Sequence, residues 1–463
     1  MEISQYDGKT DFRSWKKKMK VLLSHNKVAL VLENDLKKWS EEKLKKKKEI
    51  DEEAYNLIVM NLSESVLRKV DEIETPLALW DSSKSIEENL YEFLKMTLIL
   101  KGKDQECFTP AKADQYDCVD IYKQPAFNHV LLKNHKIQMN PSSFPEFKSN
   151  SQIPLSTHSM FGGQSKGCPA GKVPIQRNKV DYEQTDLRSL SKLHLGLFGK
   201  NNIHPLTSTE LGAHYATVQS TKSNPNYLYT GASTIIDLQN PEVKMLQISK
   251  AQMWLEDGPP AERNSIQVGW AVHPRIYGDN QTRVTAYWTA DASKNTGCYN
   301  TMCPGFVQVH PIYHLGQRYP KISIRDGIQY ITQPFVFKDK ATGNWWLSFD
   351  NNVTIGYWPK EIFTHLDKGA SFLQFGGWTY NSPDGLSPPM GSSLFPDNHY
   401  KRSCFFAQLK VMVGGGQLID MQEADLDIFV DNTACYDVKT FGYQGGELGE
   451  TFTFGGPGGN CGN

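Results

Sequence analysis

The stretch Ser265-Ile266-Gln267-Val268-Gly269-Trp270-Ala271-Val272 decides how the C-terminal half of this 463-residue chain is read. Ile266, Val268, Trp270 and Val272 alternate with Gln267, Gly269 and Ala271. That two-residue period is the mark of a strand with one buried face. Gln267 has only small neighbours on its own face, which leaves room for an extended ligand; the same spacing also fits a plain solvent-facing surface. Further strands are expected over 283–289, 330–337, 345–349, 353–358, 372–375 and 408–413, between turns rich in Gly, Pro, Asn and Asp. Helical periodicity is confined to 359–366. Short strands cannot bury their apolar faces singly, so residues 209–463 are expected to form a mainly β domain, a two-sheet antiparallel β-sandwich.

Composition agrees. Glycine (36), proline (24) and many aromatics (22 Phe, 20 Tyr, 10 Trp) suit a turn-rich β protein. Fifty basic residues face fifty-one acidic ones, so a chain-wide nucleic-acid footprint is absent. No apolar run approaches the ~18 residues of a membrane-spanning helix, and no membrane association is expected. The first residues lack the apolar core of a signal peptide, which keeps the chain, translated as written, in the cytoplasm. The eight cysteines point the other way. None precedes Cys107, and their loop-like contexts read as disulfides of an oxidising compartment.

Much chemistry is excluded. There is no His-Glu-x-x-His, no Cys-x-x-Cys and no phosphate-binding glycine pattern between strand and helix, so no metal and no cofactor are expected. Gly163-Gln164-Ser165-Lys166-Gly167 fits the G-x-S-x-G pattern, but it lies among small loop residues rather than between a strand and a helix, and reads as chance.

Residues 1–100 differ in kind. Trp15, Met19, Leu22 and Leu23, then Ile58, Leu62, Val66 and Val70, recur at helical spacing. The lysine run 45–48 reads as an exposed helix face or, more sharply, as a nucleic-acid contact. Tyr6-Asp7-Gly8-Lys9, Phe12-Arg13-Ser14-Trp15-Lys16, Asp51-Glu52-Glu53-Ala54-Tyr55 and Ala78-Leu79-Trp80 resemble the start of copia-type retrotransposon gag. The zinc knuckle of a complete gag is missing, so nucleic acid is a partner only if this segment acts alone. Residues 101–208, rich in Pro, Ser, Asn and Lys, read as an extended or loosely folded arm.

From Asp117-Cys118-Val119-Asp120-Ile121-Tyr122-Lys123-Gln124-Pro125-Ala126-Phe127 onward the chain resembles the neprosin family of plant proteins. This block, with Cys168-Pro169 and Val173-Pro174-Ile175-Gln176-Arg177, is similar to the family's activation peptide, placed here at 101–208. The similarity continues through Val268-Gly269-Trp270, Tyr277-Gly278-Asp279, Thr296-Gly297-Cys298-Tyr299-Asn300, Cys303-Pro304-Gly305-Phe306 and Phe454-Gly455-Gly456-Pro457. The resemblance implies a secreted glutamic endopeptidase that cleaves after proline at acid pH, with two glutamates facing one another. Two close carboxylates do not both ionise easily, so one serves as acid and the other as base.

At the two positions where the resemblance implies glutamate, this chain has Gln267 and Trp378 (in Gln374-Phe375-Gly376-Gly377-Trp378). Neither an amide nor an indole exchanges a proton at useful pH. The expectation is a peptidase-like pseudoenzyme that binds an extended, proline-rich peptide or protein segment through Trp270, Tyr287 and Trp378. The alternatives are a hydrolase using displaced carboxylates, Asp279 or Asp384, and a gag-derived fusion. The resemblance also implies the disulfides Cys298–Cys303 and Cys435–Cys461, with Cys118–Cys168 as a further pairing and Cys107 and Cys404 unassigned. On export, the sequons at Asn280 and Asn352 would be open to glycosylation.

Overall fold

The computed structural model describes residues 116–145, 167–177, 212–221, 228–350, 353–382, 384–397, 399–414, 416–445 and 448–462. The gag-like segment, Cys107 and Asn352 lie outside the described residues. All described residues fall within one compact unit, 111–463.

Two large antiparallel sheets form the domain. The seven-stranded sheet contains β3 (Ala213–Ser220), β5 (Ile248–Asp257), β6 (Asn264–Val272), β7 (Arg283–Thr289), β8 (Cys298–Tyr299), β14 (Phe372–Tyr380) and β19 (Leu426–Val430), in the order β19-β3-β14-β5-β6-β7-β8. The eleven-stranded sheet includes β4 (Tyr229–Asp237), β9 (Val307–Gln308), β11 (Pro334–Lys338), β12 (Trp345–Phe349), β13 (Val353–Trp358), β17 (Cys404–Val413) and β21 (Glu450–Gly456). Its β11, β12, β13 and β9 run side by side, leaving β9 at an edge.

The core lies between the sheets. Ile266, Val268, Trp270 and Val272 of β6 join Met253, Leu255, Leu373 and Phe375 of the same sheet. Facing them are Ile236, Val336, Leu347, Ile355 and Phe406 of the other. This is the antiparallel sandwich expected from the two-residue period. Full burial of each large apolar side chain contributes about 1.5–3 kcal/mol, so the alternation is strongly enforced.

Three expectations need correction. The region 330–337 is two strands, β10 (Ile331–Thr332) and β11, rather than one. The strand expected at 372–375 continues through Gly376 and Gly377 to Tyr380. The periodic stretch 359–366 holds only a single 3-10 turn, Lys360–Ile362. Its apolar Ile362, Phe363 and Leu366 are buried in the sandwich core, so tertiary packing rather than a helix face explains their spacing.

Three disulfides are present among the described residues: Cys118–Cys168, Cys298–Cys303 and Cys435–Cys461. Cys404 is a buried free thiol whose Sγ lies 3.6 Å from the Asp237 carbonyl oxygen. Burial pushes its pKa well up. No helix among the described residues is long and apolar enough to cross a membrane.

Candidate active-site face

The site residues stand on the face of the seven-stranded sheet that points away from the core. Cross-strand register defines three rows. The first runs Gln219, Gln374, Trp254, Gln267, Tyr287, Tyr299. The second runs Thr217, Gly376, Gln252, Gly269, Thr285, and the third Tyr215, Trp378, Lys250, Ala271, Arg283. Gln267 and Trp378 therefore share a face, one strand (β5) and two rows apart. Side chains on one face recur every second residue, so the register alone fixes this placement.

Two glycines shape the middle row. A Cβ at Gly269 would come within 2.0 Å of the Ala251 carbonyl oxygen. Gly376 adopts φ +146°, and a Cβ there would meet the Ala216 carbonyl oxygen at 2.4 Å. Gln252 stands between these two positions without side-chain neighbours in its row.

The amides are held in a directed chain. Gln252 Nε2 donates to Gln267 Oε1 at 2.8 Å, and Gln267 Nε2 donates to Ser265 Oγ at 3.2 Å. Ser265 Oγ then donates to Glu256 Oε1 at 2.8 Å. Glu256 faces Arg263 across 3.6 Å. Both functional atoms of the Gln267 amide are thus committed, and the Glu256 carboxylate at the end of this hydrogen-bond series is tied to a hydroxyl and a guanidinium.

The Trp378 side is cationic. Lys250, fully buried, places Nζ 4.4 Å from the Trp378 ring centroid and 4.6 Å from that of Tyr299. It also donates to the Tyr299 hydroxyl at 2.7 Å. Cation–π contacts of a desolvated ammonium contribute about 2 kcal/mol each. Tyr287 and Tyr299 pack with ring centroids 4.9 Å apart, and Lys250 bridges from Tyr299 to Trp378.

Tyr287 lies on this face, directly across from Gln267. Trp270 does not. It is fully buried on the opposite face, in the core, and its Nε1 donates to the Asp237 carbonyl oxygen at 2.8 Å. The alternation that sends Gln267 outward sends Trp270 inward, so Trp270 cannot touch a ligand on this face. Asn280 is exposed. Lys250, Gln252 and Glu256 were not singled out in the sequence, although β5 keeps the two-residue period with Ala251, Met253 and Leu255 inward; Gln374 and Tyr299 entered only as parts of motifs.

Asp279 and Asp384 are both engaged by other groups. Asp279 lies outside the strands but pairs at 2.7 Å with Arg283, the last residue of the third row. Asp384 accepts from Ser382 Oγ and from the Leu386 N–H, with Lys244 Nζ at 3.8 Å.

An antiparallel sandwich bearing an amide and aromatic face defines the class. Within it, residues 245–457 match the Neprosin family model and residues 108–219 match the neprosin activation peptide model. The chain carries a neprosin activation-peptide domain followed by a neprosin domain. Among solved structures it is similar to scytalido-glutamic peptidase in complex with a peptide-based transition-state analog, at 12% identity and a TM-score of 0.30, covering 53% of this chain and 98% of that one. It is also similar to SCP-B, a member of the eqolisin family of peptidases in complex with the tripeptide Ala-Ile-His, at 11% identity and a TM-score of 0.28, covering 53% and 98%.

Proposed function

We propose that this chain is a peptidase-like protein of neprosin type that has lost its catalytic carboxylate pair and holds extended, proline-containing peptide segments. One observation carries the reading: on the face that bears both expected catalytic positions stand an amide, an indole and, between them, a buried ammonium. None of these is a carboxylic acid, neither the amide nor the indole is a general base, and the lysine is held by the Tyr299 hydroxyl and two aromatic rings. Loss of general acid–base help costs about 10²–10⁴ in rate per role, and two roles are missing. The ion pairs and turn bonds of Asp279 and Asp384 argue against displaced carboxylates, since catalytic groups tolerate little misplacement.

The remaining face suits binding. Aromatic rings at Trp254, Tyr287, Tyr299 and Trp378 offer apolar surface for proline rings, and the glutamine amides offer backbone-like donors and acceptors. These side chains are nearly all buried in the intact chain, so a peptide enters only once the face is opened. The three disulfides fit an oxidising compartment, which with the neprosin domain supports an extracellular location.

The test is peptide turnover and binding by the full chain, before and after limited proteolysis, from acid to neutral pH. The expected result is saturable binding of a proline-containing peptide, read by tryptophan fluorescence, without products in mass spectrometry. Cleavage after proline by the native protein would overturn the loss of catalysis. Absence of binding in both forms would overturn the peptide-holding role.

A further inference from the structure

Residues 116–145, within the activation-peptide match, are not a loose arm. They form a strap of one strand, β1 (Tyr116–Asp120), and three 3-10 turns (Ile121–Lys123, Pro125–Asn128, Val130–Leu132). β1 pairs with β2 (Lys172–Gln176), and Cys118–Cys168 fastens the two pieces together.

The strap crosses the outer face of the eleven-stranded sheet, on the side of the sandwich away from Gln267. A cross-strand ladder of Phe337, Trp346, Tyr357 and Val307 lies there. Ala126 is buried in this cluster, with Phe127 and Ile137 packed against it. Leu132 goes deeper and is fully buried in the main core.

Polar contacts are equally specific. Gln124 behaves as a missing strand: its Nε2 donates to the Gln308 carbonyl at 3.1 Å, and its Oε1 accepts from the Gln308 N–H at 2.7 Å. It thereby closes the free edge at β9. The Gln138 N–H donates to the Tyr357 hydroxyl at 3.0 Å, its Nε2 donates to Asp339 at 2.7 Å, and its Oε1 accepts from Asn344 at 2.9 Å. Burial alone would raise the Asp339 pKa; hydrogen bonds from Gln138, Ser142 and Thr342 outweigh it and hold the carboxyl below its ordinary value. From the second piece, the Cys168 N–H donates to the Pro311 carbonyl at 2.8 Å.

Taking the strap away would expose apolar core, free a sheet edge and leave the buried Asp339 carboxylate with Thr342 alone of its three side-chain donors. We propose that the strap is a permanent part of the domain: cut from it between 177 and 212, it stays bound as a separate chain, and the outer face of the eleven-stranded sheet is its binding surface. No disulfide among the described residues joins the strap to the sandwich, so retention would be noncovalent.

The experiment inserts one protease site, flanked by flexible linkers, after Gly199 of the full chain. The protein is cut under native, non-reducing conditions and passed over a sizing column. The strap fragment is expected to co-elute with the sandwich and to separate from it in non-reducing denaturant. The double variant Leu132→Ala/Gln124→Ala should raise the release rate at least tenfold. Elution of the native fragment alone would overturn the proposal. Co-elution with a release rate unchanged in the double variant would overturn the assigned surface. Should the double variant fail to fold, the native co-elution still decides, and Gln138→Ala serves as the milder probe.

Discussion

The two outward faces of the sandwich are built from different materials. The face of the eleven-stranded sheet is an aromatic ladder, sealed by a strap whose buried groups are apolar or doubly hydrogen-bonded. The face of the seven-stranded sheet carries four glutamines, a lysine and several aromatics above two side-chain-free glycine positions. Both faces are buried, yet only the first is built as protein core is built. The second holds buried polar groups where aliphatic residues would pack more stably, the pattern on which the proposed peptide-holding role rests. Burial alone does not tell the two faces apart; the chemistry of the buried groups does.

The sharpest test of this contrast is to put chemistry back. Gln267→Glu/Trp378→Glu should bring measurable cleavage of a proline-containing peptide, at least about 10²-fold above the native chain. Lys250 stands beside position 378, and its ammonium will favour the ionised form of a new carboxylate. The pH optimum of the double variant should therefore move up when Lys250→Met is added. Products scored by mass spectrometry across pH decide both points; silence from every variant would mean that the face is not a disabled catalytic site.

The core between the faces should respond to pH in a definite direction. Burial raises the Asp237 pKa from 3.8 to about 7, against hydrogen bonds from Ser323 and Gln239. A raised folded-state pKa means stability that is fully present below the unfolded value and is lost as pH rises through about 7. The domain should melt higher near pH 4 than near pH 8, by up to about 4 kcal/mol. Asp237→Asn should flatten that dependence in thermal melts.

On the strapped side, Leu132→Ala should destabilise the domain by about 2–5 kcal/mol, as large-to-small core changes do. Peptide binding on the opposite face should survive while the protein remains folded. Denaturant titration and fluorescence binding separate the two effects.

The smallest effect concerns acid at the strap. His135 bonds to the Tyr357 hydroxyl at 2.8 Å, and burial lowers its pKa below 6.5, partly opposed by Glu361. Stability that depends on its neutral form is present above 6.5 and is lost as pH falls. His129 and His310 are shifted the same way by burial. Protection from hydrogen exchange over 125–142, measured against the intrinsic rate at each pH, should therefore fall on acidification while the sandwich tightens, and His135→Gln should lessen the change.

Much of the sandwich was legible because its period is simple. β6 and β7 read directly from alternation, and the disulfides followed from the family resemblance. β5 was legible but not read: Ala251, Met253 and Leu255 alternate with Lys250, Gln252 and Glu256 in the same two-residue period, and β14 was cut short at Gly376 and Gly377, a residue type uncommon inside strands. Trp270 shows two rules in conflict. Aromatic character suggested a ligand contact and the period assigned it to the core; the period won, because every neighbour in β6 depends on it. The strap was illegible for a deeper reason. Its short 3-10 turns carry no periodicity, and its stability comes from partners such as Gln308 and Asp339, some two hundred residues away in the chain.

Cys404 gives the molecule an internal clock. Its thiol is fully buried, and burial keeps it protonated, so in the closed domain it meets no reagent and makes no thiolate. Modification at this one position, located by peptide mapping, therefore counts openings of the core rather than the reactivity of a surface group. Run alongside release of the strap, it would time whether the sandwich breathes before the strap departs or only afterwards.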